Sequence, residues 1–189
     1  QAYNSIYQFA YTEDVDGNVT QTEVTDPRGI VRRVTFNVSG YALTDTYAVG
    51  DPKQQTYTIE RESGSNLILS ETDPLNRQTT YVYDSKGNVT AFTQLAGTAE
   101  AVTTHLTYEP MYGQVASTTD PLNHTVALTY GENGALIKVT DALNHESIMT
   151  NNGEGQITSV TDPSENSVHF DYEAGDLITS TDQEGYVTK

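Results

Sequence analysis

Apolar and polar residues alternate along this chain in short runs, and the runs return at a fixed interval. The stretch from Thr119 to Val139 is one copy, and the Asp of its Thr-Asp pair recurs at Asp141, Asp162 and Asp182, spacings of 21, 21 and 20 residues. The same pair stands earlier at Asp26 and Asp73; eight residues after Asp26, Asp73, Asp120, Asp141 and Asp162 stand Val34, Tyr81, Leu128, Met149 and Phe170, and ten after stand Phe36, Tyr83, Tyr130, Asn151 and Tyr172. Between them, nine after, stand Thr35, Val82, Thr129, Thr150 and Asp171. A period of two puts the first two columns on one face of a strand and the third on the other. A sequence that repeats this pattern every twenty-odd residues is a stack of identical supersecondary units.

Two turn signals bound the strands. Asp before Pro, at Asp26, Asp73, Asp120 and Asp162, accepts backbone hydrogen bonds while Pro sets φ; Ala142 and Gln183 replace Pro after Asp141 and Asp182. Fourteen residues after the Asp comes a glycine, at Gly40, Gly87, Gly134 and Gly155, and one residue earlier at Gly175 in the Asp162 copy, suited to the positive φ of a tight hairpin. Tyr83, Tyr130, Tyr172, Gly87, Gly134, Gly155, Gly175, Asp73, Asp120, Asp141 and Asp162 are therefore the expected structural residues of the repeat. No window shows apolar residues at helical spacing, and the prolines would interrupt a helix, so the expected class is all-β: antiparallel hairpins in one long sheet.

The copies are not uniform. From Asp26 to Asp73 and from Asp73 to Asp120 the spacing is 47 residues, which predicts an extra hairpin in each long unit. One spans Tyr57 to Leu69 around Ser63-Gly64-Ser65, the other His105 to Ser117 around Pro110-Met111-Tyr112-Gly113. Thr44–Gln55 and Leu95–Ala101 read as irregular connectors. At the start, Tyr3, Tyr7, Phe9 and Tyr11 suit one face of a strand, Asp14–Asn18 a turn and Val19–Val24 the return. The expected organisation is one continuous array, with irregular long units over 1–118 and regular 20–21-residue repeats over 119–189, cut from a longer protein.

Composition narrows the function. Nine basic against 26 acidic residues give a net charge of −17, which repels nucleic acid and anionic lipid and favours solubility or a basic partner. The 13 tyrosines suit a pleated, half-buried surface. There is no cysteine, hence no disulfide and no thiolate metal site. No apolar run is long enough to span a membrane and no signal peptide is visible.

Candidate chemistry is sparse. Asp14-Val15-Asp16-Gly17-Asn18 matches part of a calcium loop, but Thr12 stands where the first ligand belongs and no helix flanks it, so a hairpin turn is the better reading. The repeated Asp column lacks the unlike environments that separate the pKa values of a catalytic pair. His124 and His145 share a column, 21 residues apart, with Arg77, Asn166 and Ile30, which reads as a tolerant position rather than a metal site. His105 and His169 have no evident partner, and no Gly-x-Ser-x-Gly elbow is present. Four Asn-x-Ser/Thr sequons, at Asn18, Asn37, Asn88 and Asn123, arise from the repeat itself. No residue is assigned to catalysis, to a metal or to a cofactor.

Tyr83-Asp84-Ser85-Lys86-Gly87-Asn88-Val89, taken with the recurring Thr-Asp-Pro-Leu-Asn, resembles the YD repeat of Rhs proteins, shared with the Tc-toxin B and C components and the teneurins. Only Tyr83-Asp84 is a literal Tyr-Asp pair; Tyr108-Glu109 and Tyr172-Glu173 are near-matches, while Tyr130-Gly131 and Asn151-Asn152 are degenerate. Asp26-Pro27-Arg28-Gly29-Ile30 is similar to the Asp-Pro-x-Gly-Leu that ends an Rhs core, though a strand follows it here. The resemblance implies a long curved sheet, an arc of a hollow shell that in bacterial members encloses a C-terminal toxin and in teneurins belongs to a cell-surface adhesion protein. It implies a non-catalytic wall segment whose partners are the rest of its own shell and the enclosed polypeptide, secreted or at the cell surface through its parent. The rival is an extracellular binding or adhesion module for a glycan or a basic protein; an enzyme comes third.

Overall fold

The computed structural model describes residues 6–189, and Tyr3 lies outside them. The described residues contain no helix and form 17 strands of one antiparallel sheet. In the first part of the chain these are β1 (Gln8–Glu13), β2 (Val19–Thr25), β3 (Val31–Phe36), β4 (Ala42–Tyr47), β5 (Gln55–Arg61), β6 (Ile68–Thr72), β7 (Gln78–Tyr83) and β8 (Val89–Gln94). Then follow β9 (Val102–Tyr108), β10 (Val115–Thr119), β11 (Thr125–Tyr130), β12 (Leu136–Thr140), β13 (Glu146–Asn151), β14 (Ile157–Thr161), β15 (Ser167–Glu173), β16 (Asp176–Thr181) and β17 (Val187–Thr188). The chain divides into two compact units, one ending at Thr103 and one beginning at Thr104. In the first, β1 through β8 pair in sequence order; in the second, β9 through β17 do the same.

The two extra hairpins fall where the 47-residue spacing puts them, as β5–β6 and β9–β10. The internal symmetry reaches the loops. Val49 N donates to Val31 O and Ala96 N to Gln78 O, while Glu62 N donates to Leu67 O and Glu109 N to Gln114 O, each pair of bonds offset by 47 residues. Leu95–Ala101 is a loop, but Thr44–Tyr47 is strand rather than connector. Its threonines read as loop composition, yet Thr44 and Thr46 bond across to Thr35 (2.6 Å) and Thr56 (3.1 Å). Threonine suits a strand because its branched Cβ packs on the pleat.

The alternation predicted for the strands is present. Val34, Tyr81, Leu128, Met149 and Phe170 lie half-buried on one face. The other face carries hydroxyl pairs between neighbouring strands: Thr93 with Thr103 (2.8 Å), Thr107 with Ser117 (2.7 Å), Thr150 with Ser159 (2.7 Å) and Thr161 with Ser167 (2.8 Å). Within each unit, neither face is covered by a second layer of that unit. Among the described residues only Ala48, Ala91, Thr46 and Ser70 are buried, and no large side chain is. The chain exposes 12939 Å². A compact monomer of 20.7 kDa would expose about 8,900 Å². This sheet is held by its ladders and by the contacts along one face, not by a sandwich core.

Candidate functional site

The repeat residues build two rims, one at each end of the hairpins. At the Asp-Pro rim, Asp73 Oδ1 accepts from the N–H groups of Leu75 and Arg77, both at 2.9 Å. Asp120 does so from Leu122 and His124, Asp141 from Leu143 and His145, and Asp162 from Ser164 and Asn166, all at 2.8 Å. Each Asp N–H also donates to the carbonyl four residues on, and its carbonyl accepts from the N–H three residues on. This is a three-residue hairpin loop, a type I turn closed by a left-handed residue. The left-handed position holds Gly29, Asn76, Asn123, Asn144, Glu165 and Gly185 in turn, with φ between 60° and 86°.

The glycine rim uses the same frame. Asp84 Oδ1 accepts from Lys86 (2.8 Å) and Asn88 (2.9 Å), and Gly87 takes φ 85°. Asn152 performs the same service as an amide for Glu154 and Gln156, both at 3.0 Å, ahead of Gly155. Asp14 does it for Asp16 and Asn18, both at 2.9 Å, so the calcium-like stretch is one more hairpin turn. The two signals that look chemically distinct in sequence are one device. At the copy that is one residue short, Ala174 (φ 53°) and Gly175 (φ 93°) form a two-residue turn between the paired Glu173 and Asp176, so the missing residue is taken out of the loop and not out of the strands.

Glu165 is the misfit in this series. A long side chain with no local hydrogen bond stands at φ 68°, where the other copies place Gly or Asn. Glu165→Asn is expected to raise stability by about 0.5–1 kcal/mol in urea titration. Glu165→Gln removes the same charge and keeps the strain, and should change little; equal gains from both would trace the effect to charge instead.

The column of Arg77, His124, His145 and Asn166 has a common task that sequence reasoning took for tolerance. Each side chain turns back to the second oxygen of its own turn aspartate: Arg77 Nε at 2.7 Å, His124 Nδ1 and His145 Nδ1 at 2.9 Å, and Asn166 Nδ2 at 2.8 Å. Where the column holds Ile30, Arg28 reaches Asp26 instead, Nε at 3.0 Å. The visible signal was that every member but Ile30 and Tyr186 carries a side-chain N–H.

These bonds hold the turn carboxyls below the usual aspartate range. The Arg77 side chain does this first for Asp73, the Asn166 side chain for Asp162, and the backbone N–H groups of His124 and His145 for Asp120 and Asp141. Asp14, Asp26 and Asp84 are lowered chiefly by the side chains of Asn18, Arg28 and Asn88. A carboxyl that is more acidic folded than unfolded stabilises the fold above its unfolded pKa, and this is lost as pH falls through the folded value. The urea midpoint should therefore hold from about pH 7 to about pH 5 and fall once pH drops below the ordinary aspartate value of 3.8. A midpoint flat down to about pH 2 would show that the caps contribute nothing.

The tyrosine column does more than stack. Tyr83 Oη donates to the carbonyl of Ile68 at 2.7 Å, Tyr130 Oη to Val115 at 2.8 Å and Tyr172 Oη to Ile157 at 2.9 Å, each fifteen residues back. Asn151, the break in the column, makes the same bond with Nδ2 to Leu136 O at 3.0 Å. The reason lies in the pairing. Every hairpin closed at the glycine rim has a bulge on its return strand, as on β6 between Arg61↔Ile68 and Glu60↔Ser70. On the other side of that strand the ladder stops short: β6–β7 pairs only from Ser70↔Thr80 to Thr72↔Gln78, leaving Ile68 beyond it. The side chain spans the splayed end. Where the column holds Phe36, which has no donor, the β2–β3 ladder runs on through Thr22↔Val34 to Gln21↔Thr35.

Among the described residues no three His, Asp or Glu side chains gather where they could hold a metal. Within the turns the aspartate oxygens are occupied by their own loops. What the arrangement does chemically is terminate strands and tie each hairpin to the one before.

Comparison with known proteins agrees with this geometry. The RHS Repeat family matches residues 63–99. A crystal structure of TcdB2-TccC3-Cdc42 superimposes with a TM-score of 0.70 at 13% identity, over 95% of this chain and 10% of that one. One of TcdB2-TccC3 gives 0.69 at 13% identity, over 95% and 11%, and one lacking the hypervariable C-terminal region gives 0.68 at 14%, over 92% and 10%. The chain thus spans about a tenth of the length of the structures it matches. No curated protein matches it in sequence.

Proposed function

We propose that this RHS-repeat chain is a stretch of shell wall, a non-catalytic segment of a larger YD-repeat container that encloses or presents another polypeptide. The observation that carries the reading is the missing core. A single uncovered sheet exposing 12939 Å² is what a slice of a larger closed surface leaves. The fold it shares with TcdB2-TccC3 is a structural scaffold, and the rims described above serve strand closure and hairpin linkage. The partners are then the neighbouring hairpins of the same shell and the contained polypeptide, and the parent acts outside the cell or at its surface. Among the described residues no helix is long and apolar enough to cross a membrane.

Limited proteolysis of the full-length parent tests this. The polypeptide that follows the repeats should resist protease while the shell is intact and become sensitive in mild urea. Equal sensitivity under both conditions would oppose containment.

A second reading, an extracellular binding module for a glycan or protein, is favoured by aromatic rings left open to solvent, Phe9 at 60%, Tyr11 at 62% and Tyr57 at 53% exposure. Aromatic platforms of this kind suit sugars and interfaces. It requires that their replacement by alanine reduce ligand affinity and leave stability unchanged.

A further inference from the structure

The first unit carries a groove of about 740 Å³ on its apolar face, lined among others by Tyr57, Ile59, Glu71, Asp73, Thr79 and Gln94. The strand register places Asp45 opposite Tyr57, Ile59 opposite Glu71 and Glu71 opposite Thr79, so these side chains share a face. Two of the groove's three carboxylates already have cations. Asp45 binds Arg32 Nε at 2.8 Å and Asp73 binds Arg77 Nε at 2.7 Å. Glu71 has none; it accepts only the Tyr81 hydroxyl, at 2.8 Å. Tyr81 remains a donor over the whole physiological range, because burial and then Glu71 itself push its hydroxyl up to about 12.

Diagonal to Glu71 on the same face, about 7–8 Å away at the Cα level, is Tyr57, which is 53% exposed. An unpaired carboxylate that far from an open aromatic ring matches a long cationic side chain, its stem across the ring and its head at the carboxylate. The chain already contains the aromatic half of this contact, Arg61 lying 5.3 Å above the Tyr41 ring. An anionic occupant would meet Glu71 and the net charge of −17. We propose that this groove seats a lysine or arginine side chain of a second, basic polypeptide, held between the Tyr57 ring and the Glu71 carboxylate. The site belongs to the first unit alone and does not depend on whether the parent forms a container.

The test is titration of a hexalysine peptide into the whole chain at low salt, with hexaglutamate and a neutral oligosaccharide as alternative probes. A chain of this charge attracts any polycation, so position is what must be read. Glu71→Gln, which keeps an acceptor for Tyr81, and Tyr57→Ala are each expected to weaken hexalysine binding about threefold to tenfold. Glu132→Gln, an equal change of charge in the second unit, should leave it unchanged. Thermal melts of all three variants confirm folding. Equal loss from Glu71→Gln and Glu132→Gln would reduce the binding to diffuse attraction and overturn the site, as would absence of hexalysine binding or preference for the oligosaccharide. None of these results bears on the proteolysis of the parent, so the two readings fail separately.

Discussion

Gly134→Val is expected to cost about 2–4 kcal/mol, the largest effect of any single substitution at the rims. Two causes add. Gly134 sits at φ 78°, where a β-branched residue is strongly disfavoured. A Cβ there would also stand 3.2 Å from the Tyr112 ring, which is pinned by its hydroxyl to the carbonyl of Glu132 at 2.5 Å and so does not swing away freely. Gly155, one hairpin on, has φ 83° and nothing within 4 Å of an added Cβ. Gly155→Val should therefore cost only the backbone strain, about 1–2 kcal/mol. Urea titration gives the two totals, and amide exchange in β11 and β12 shows whether the first is local. Repeating Gly134→Val in a Tyr112→Ala background should bring it down to the Gly155 value. If both glycines cost the same in the native background, Tyr112 does not buttress this turn.

Asn151→Leu is expected to cost about 1–3 kcal/mol, because it removes the side chain that, among the described residues, reaches Leu136 O and leaves a half-buried carbonyl at a splayed ladder end without that partner. Asn151→Tyr should be at least as stable as the native chain, since Tyr83, Tyr130 and Tyr172 fill the equivalent place with the same bond. Amide exchange in β12 and β13 reads the result at the site, where an unfolding curve for the whole array would average it over many hairpins. Equal stability of the leucine and tyrosine variants would mean that the column matters for its bulk alone. Tyr130→Phe is the matched control: it keeps the ring and loses the bond to Val115 O, and belongs with the leucine variant if the hydrogen bond carries the effect.

The hairpins were legible because their determinants are local. Asp73, Asp120, Asp141 and Asp162 satisfy groups two and four residues away, and Gly87, Gly134, Gly155 and Gly175 supply left-handed backbone at the turn itself, so a count along the chain finds them. Alternation found the faces for the same reason, since the direction of a side chain on a strand is set by its neighbours in sequence. Thr44–Tyr47 misled because its polar composition is shared by loops and by a sheet face that bonds hydroxyl to hydroxyl.

What sequence alone determined is the class, the period and the position of nearly every turn. What only the tertiary structure decided is what ties one hairpin to the next. The bulge on each return strand changes which residues face each other without changing any spacing, and the carbonyl it strands is reached by a side chain fifteen residues later on a different strand. The tyrosine column is visible in the chain but the acceptor each hydroxyl reaches is not, and the kinship of Asn151 with three tyrosines shows only when all four are seen to end on the same kind of carbonyl. The groove around Glu71 is of the same sort. Asp45, Tyr57, Glu71 and Gln94 are spread over fifty residues and meet only because five strands, β4 to β8, pair in register, and pairing between strands is a property of the folded sheet.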